Sequence, residues 1–167
     1  MQNYLILIDG PKGAGKSTLS ELLRKKLTST VFFNIDEERR LIEKSGDRDT
    51  DNKSAFMSII EKSIKVFEQK KNVVLDSAVF GDRLDIIENI TKRYKVKLNK
   101  FSLTALPETL RARVKEREEL KGKKFDSNRF DYLLKVLQNR SLEGFYILDS
   151  DKLSPQQIFD IVFSKVI

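Results

Sequence analysis

Gly10, Gly15, Lys16 and Ser17 stand at the spacing G-x-x-x-x-G-K-[ST]. A set of this kind can hold a polyphosphate. Glycines turn backbone N–H groups inward at the positive end of a following helix, which makes a cradle for anions. Gly10, Gly13 and Gly15 let the chain curl where a Cβ would clash. Lys16 supplies a point charge for the β- and γ-phosphates of a triphosphate, and the Ser17 hydroxyl is a ligand for Mg²⁺. The whole run Gly10, Pro11, Lys12, Gly13, Ala14, Gly15, Lys16, Ser17, Thr18 is therefore the predicted nucleotide-binding loop.

Further carboxylates and arginines stand where strand-like runs end. Asp36 follows the run Val31–Ile35, with Arg39 three residues on. A carboxylate there could accept the proton of an attacking hydroxyl while the arginine holds an anionic group of the acceptor. The alternative role for Asp36 is N-cap of a helix over Glu37–Lys44, with Glu37 and Glu38 as first-turn charges favoured by the helix dipole. Asp76 closes Asn72-Val73-Val74-Leu75-Asp76, which would place it near Mg²⁺ or the acceptor hydroxyl. Arg83 opens the next helix and either contacts substrate or is a plain surface arginine. Arg113 and Arg117, four apart, project from one helical face. Either a transferring phosphoryl group sits between them, or Glu116, Glu118 and Glu119 pair with them at the surface.

The elements that must position these residues alternate. Strand-like runs at Tyr4–Ile8, Val31–Ile35, Val73–Leu75, Leu98–Leu106 and Phe145–Leu148 are separated by helical faces. The first helix is read from Leu19, Leu22, Leu23 and Leu27, and the last opens at a capping box, Ser154-Pro155-Gln156-Gln157. Such alternation predicts an α/β fold with a parallel sheet covered on both sides. Ligands in these sheets bind beyond the carboxyl ends of the strands. The segment 44–54 has no apolar residue, and Lys115–Lys124 carries eight charged residues in ten. Each is either solvated surface or a flap that closes over substrate.

The 167 residues suit one domain, 1–167, large enough to bury a core. No membrane span or secretion signal is read in the chain, so a cytoplasmic protein is expected. Zero cysteines exclude a disulfide framework and a thiol nucleophile, and zero histidines leave a general base to a carboxylate, Lys or Tyr. The net charge of +7 favours polyanionic partners, or simply a soluble basic surface.

Taken together, these residues resemble the small P-loop kinases, a group that includes nucleoside and nucleotide kinases, shikimate and gluconate kinases, zeta-type toxins and polynucleotide kinases. The resemblance spans the chain: GPKGAGKST, Asp36, Asp76 and the arginine-bearing helix after LTALPETL. It implies a five-stranded parallel sheet of order 2-3-1-4-5, with ATP and Mg²⁺ as cofactors and Ser17 and Asp76 at the metal. It implies transfer of the γ-phosphoryl to a hydroxyl of a small-molecule, nucleoside-like or 5′-hydroxyl polynucleotide acceptor. Lys16, Asp36, Arg113 and Arg117 are then catalytic, Asp36, Arg39, Asp76 and Arg83 touch substrate, and the lid spans 111–128. Asp36-x-x-Arg39 is similar to an element of polynucleotide 5′-kinases. The guanine reader of GTPases, Asn-Lys-x-Asp, is absent, and Ser77 stands where an ATP-driven motor would carry a glutamate. The competing expectation is a non-catalytic or weakly hydrolytic ATP-binding module that serves a protein partner.

Overall fold

The computed structural model describes residues 2–167. Its elements run β1 (Tyr4–Asp9), α1 (Lys16–Arg24), β2 (Thr30–Asn34), α2 (Ile35–Leu41), α3 (Arg48–Glu68) and β3 (Asn72–Asp76). They continue with α4 (Arg83–Arg93), β4 (Lys97–Thr104), α5 (Pro107–Leu120), α6 (Ser127–Gln138), β5 (Tyr146–Asp149) and α7 (Pro155–Val166). All strand pairings are parallel, and the order is β2-β3-β1-β4-β5, as the resemblance implied.

Alternation along β1 explains the layering. Ile6 and Ile8 point into a core built with Leu19, Leu23, Leu110, Val114 and Ile158, the face covered by α1, α5, α6 and α7. Leu5 and Leu7 point the other way, onto Phe56, Ile59, Ile60 and Ile87 of α3 and α4. All four β1 side chains are fully buried, as a central strand covered on both faces requires. Each such side chain contributes about 1.5–3 kcal/mol relative to exposure, so β1 is held rigidly beneath the loop that follows it.

Register sets the site. Asn34 of β2 lies opposite Asp76 of β3, and Asp76 lies opposite Ile8 of β1. The carboxyl ends of three neighbouring strands therefore finish level, with Asp76 between the strand that feeds the glycine loop and the strand that leads to Asp36.

Three local features depart from the sequence reading. The helix after β2 starts at Ile35, and Asn34 is its cap: its side-chain oxygen accepts from Asp36 N at 2.9 Å and Glu37 N at 3.1 Å. Asp36 is thus freed from capping because a better-placed amide does that work. Glu38 is a first-turn charge of α2 as read, but it is also buried and accepts from Lys62 Nζ at 2.6 Å and Ser58 Oγ at 2.6 Å, which ties α2 to α3. Residues 48–54 open α3, capped by Asp47, and Asp51 is buried, accepting from Ser45 N and Oγ at 2.8 Å. The apolar periodicity of α3 starts only at Ala55, so its polar first two turns carried no helical signal. The capping box at Ser154 and Gln157 forms as expected.

Candidate functional site

The glycine loop is shaped by contacts that only glycine permits. Gly10 has φ +136°, and a Cβ there would collide with the Leu103 carbonyl oxygen of β4. At Gly13, φ is +85° and a Cβ would lie 2.9 Å from the Leu110 carbonyl oxygen. The loop is thereby wedged against β4 and α5, and its chain continues into α1. Lys16 Nζ donates to the Pro11 carbonyl at 3.1 Å, curled over the hollow of the loop. Lys12 has its ammonium pKa lowered by burial, against the attraction of Asp36, with Arg48 and Arg117 also in its field.

Asp76 is buried. Its Oδ2 accepts from Asn34 Nδ2 at 2.8 Å and from Ser17 Oγ at 3.3 Å. Burial raises its carboxyl pKa, an effect that Lys16 and these two donors only partly offset. A buried carboxylate beside a hydroxyl gives two hard oxygen donors, the type that Mg²⁺ takes. Among the described residues no group of three or more His, Cys, Asp or Glu could hold a metal. A cation here would draw its remaining ligands from phosphate oxygens and water, which is how Mg²⁺ is usually bound.

Asp36 pairs with Arg39 at 3.1 Å, an i,i+3 contact on α2 that leaves the carboxylate 43% exposed. Arg39 also donates to Asn52 Oδ1 at 3.0 Å. Arg83 is buried, its guanidinium 4.3 Å from the centre of the Phe80 ring and 5.0 Å from that of Phe56. On the lid side, Arg113 donates to Gly13 O at 3.2 Å, Ser150 Oγ at 2.9 Å and Ser150 O at 3.2 Å. It braces the glycine loop against the turn after β5. Arg117 makes a loose contact with Glu118 at 3.8 Å and no hydrogen bond from its side chain among the described residues.

A cavity of about 520 Å³ gathers these groups. Every sequence-predicted residue lines it: Gly10 to Thr18, Asp36, Arg39, Asp76, Arg83, Arg113 and Arg117. It also takes in residues the sequence reading left unassigned. Phe130, Leu133 and Leu137 of α6, with Leu153, Pro155 and Ile158 after β5, add apolar side chains to its lining. The α6 residues stand at ordinary helical spacing, which does not set them apart from a core-facing stripe. Arg48, Asn52 and Arg129 complete the polar wall, and nothing in their local pattern marked them.

Comparison with known proteins follows the same lines. Residues 5–139 match the family model described as an AAA domain. The chain belongs to the AAA domain family. Cytidylate kinase of Clostridioides difficile (strain 630) is 33% identical over 102 residues, 58% of this chain and 47% of that protein. The chain thus spans about half the length of that curated relative. A Methanocaldococcus jannaschii protein named a probable thymidylate kinase is 29% identical over 184 residues, 95% of this chain and 93% of its own. Among solved structures, a Chloroflexus aurantiacus protein described as a kinase superimposes with a TM-score of 0.78 at 15% identity, covering 100% of both chains. The Pnkp1/Rnl/Hen1 RNA repair complex matches at 0.64 and 18% identity, covering 82% of this chain and 44% of that one. At these identities the structural likeness shows the fold, which is that of the small P-loop kinases. No helix among the described residues is long and apolar enough to cross a membrane.

Proposed function

We propose that this member of the AAA domain family is an ATP-dependent phosphotransferase that moves the γ-phosphoryl of ATP to a hydroxyl of a small-molecule, nucleoside-like acceptor. One observation carries the reading: the phosphate loop with Lys16 and the uncapped carboxylate of Asp36 line a single cavity, with Asp76 on the strand between them. A binding module needs the loop alone.

In this reading the loop N–H groups hold the phosphates, and Lys16 exchanges the Pro11 carbonyl for the β- and γ-phosphate oxygens. Mg²⁺, held by Ser17 and Asp76, would neutralise phosphate charge and fix the phosphates in line. The acceptor O–H gives its proton to the Asp36 carboxylate as its oxygen bonds to the γ-phosphorus. The bond from that phosphorus to the β,γ-bridging oxygen breaks, and ADP leaves with the electron pair. Arg117, which lines the cavity, would offset charge on the phosphoryl in flight. Arg113 holds the loop in shape. Segments 44–54 and 111–128 are proposed to close over the substrates; Asp49 of the first is 2.8 Å from Arg129, the residue just beyond the second.

A 5′-hydroxyl nucleic-acid end is the second reading, favoured by the Asp36–Arg39 pair and the net charge of +7. Transfer of label from γ-labelled ATP to a metabolite pool and, separately, to a 5′-hydroxyl oligonucleotide tests both, with Lys16→Ala as the blank. Label in either acceptor, lost in the variant, supports the phosphotransferase. Turnover retained by Lys16→Ala would overturn it.

A further inference from the structure

The end of the sheet away from the cavity carries a charge that the site does not use. Every strand of a parallel sheet begins at the same end, and three of the turns that lead into strands here are strings of cations. They are Arg24-Lys25-Lys26 before β2, Lys70-Lys71 before β3, and Lys92-Arg93-Tyr94-Lys95-Val96-Lys97 running into β4. Backbone hydrogen bonds bring the three turns together. Asn72 N donates to Ser29 O at 3.1 Å, and Lys97 N donates to Asn3 O at 2.8 Å. Tyr4 N, between them, donates to Asn72 Oδ1 at 3.1 Å. The strands lie in the order β2-β3-β1-β4, so the turns form a row on the order of 15 Å long, three strand spacings.

Residues 24–29, 68–71 and 92–97 hold nine cations and a single carboxylate, Glu68. They account for the whole net charge of +7, and the remainder of the chain is nearly neutral. All nine are exposed, and none makes an ion pair among the described residues. Helix dipoles favour Arg24, Lys92 and Arg93, which stand in last helical turns. They do not account for Lys70 and Lys95. Each is the residue after a helix cap, and each has φ +54°. That left-handed conformation is one glycine normally supplies at this position, because a Cβ is penalised there. A chain that needed only the turns would be served better by glycine at both places.

We infer that this row docks on the phosphate backbone of a double-stranded nucleic acid, at the end of the molecule opposite the cavity. A row of that length faces about four phosphates of one strand, at roughly 3.4 Å of axis for each. Lysines are point charges on flexible stems, which hold phosphates without reading bases. Leu27 and Val96 of the turns are buried, and Tyr94 packs on Phe67 with ring centres 6.2 Å apart. The turns therefore offer no free aromatic face to stack on unpaired bases and no apolar side chain to enter a membrane. The surface uses none of the residues assigned to phosphoryl transfer and stands apart from any nucleic-acid end in the cavity.

The test is fluorescence anisotropy of a labelled DNA duplex of about 20 base pairs, long enough to cover the row. Its ends carry 5′-phosphates, so it presents no 5′-hydroxyl, and the protein is saturated with ADP and Mg²⁺. The expected result is binding at low salt that weakens as salt rises. In Lys70→Gly/Lys95→Gly the affinity should fall roughly tenfold, and the slope of log affinity against log salt should shrink by about two. The same variant should unfold at or above the wild-type temperature, since glycine suits both φ values. Lost binding is then not lost folding. A control, Lys135→Gln/Lys152→Gln, removes two exposed lysines outside the row and should keep the wild-type affinity and slope. Equal weakening in the two variants would reduce the effect to net charge and overturn the inference, as would no duplex binding at low salt. Binding to phosphatidylserine vesicles in preference to the duplex would assign the row to a membrane surface and overturn it too.

Discussion

Two arginines behind the carboxyl ends of the strands meet opposite fates. Arg140, just after α6, reaches back to Asp9, the residue before Gly10, which is fully buried. Asp9 is saturated: its oxygens accept from Arg140 Nη1 at 2.6 Å, Val79 N at 2.8 Å and Ser102 Oγ at 2.9 Å, with a second Arg140 nitrogen besides. This closed pair ties β1, β4, the turn after β3 and the end of α6 into one knot beneath the loop. Arg83 is buried too but makes no ion pair among the described residues, with Asp82 acting on it through its field alone. The fold neutralises the first charge and leaves the second facing the cavity that Arg83 lines.

The contrast can be broken at either side. The largest effect is expected from Arg140→Ala, which strands the Asp9 carboxylate in the core. Loss of one partner of a buried pair costs roughly 3–5 kcal/mol, or about 2–4 °C in Tm for each kcal/mol in a domain of this size. Thermal unfolding checks it, and a shift under about 3 °C would mean the pair is not the knot described.

Arg83→Leu should behave in the opposite sense. Without ligand its unfolding free energy should stay within about 1 kcal/mol of wild type or rise, because an uncompensated charge is removed, while acceptor KM climbs at least tenfold.

Asp76→Asn sharpens the same point. The carboxyl pKa of Asp76 is raised in the folded protein, so its ionised form is disfavoured relative to the unfolded chain. Ligand-free wild type should therefore gain stability as pH falls through that raised value toward the ordinary 3.8. The asparagine variant should lack this gain, be at least as stable at neutral pH, and lose Mg²⁺-dependent transfer. Parallel stability–pH curves for the two proteins would refute the assignment.

The smallest effect is at Glu38. Hydrogen bonds from Lys62 and Ser58 outweigh the burial that would raise its pKa, so the folded value lies below 4.5. Its contribution is complete above pH 4.5 and is lost as pH falls through the folded value. Lys62 is 43% exposed, so Glu38→Gln should cost under about 1 kcal/mol at neutral pH.

Much of this was legible in the sequence, for physical reasons. Gly10-x-x-x-x-Gly15-Lys16-Ser17 has a local rule, and Leu5 to Ile8 must be a doubly covered strand, so loop, sheet and Asp76 followed from spacing and hydropathy. Asn34 was not seen as the cap because competition between Asn34 and Asp36 for the same amides depends on where β2 stops. The Asp9–Arg140 pair joins residues 131 positions apart, and Arg48, Asn52 and Arg129 meet only when α3 and α6 face one cavity. Those contacts have no one-dimensional pattern.

The role proposed for Asp36 is to take a proton from an acceptor hydroxyl within the phosphate-loop cavity. Its most direct test is label transfer from γ-labelled ATP by Asp36→Asn, measured beside ATP affinity in the same preparation. Unchanged ATP binding is expected, with transfer reduced about 10²–10⁴-fold, the worth of a general base. Transfer at the wild-type rate, or acceptor-independent hydrolysis that is identical in both proteins, would contradict it.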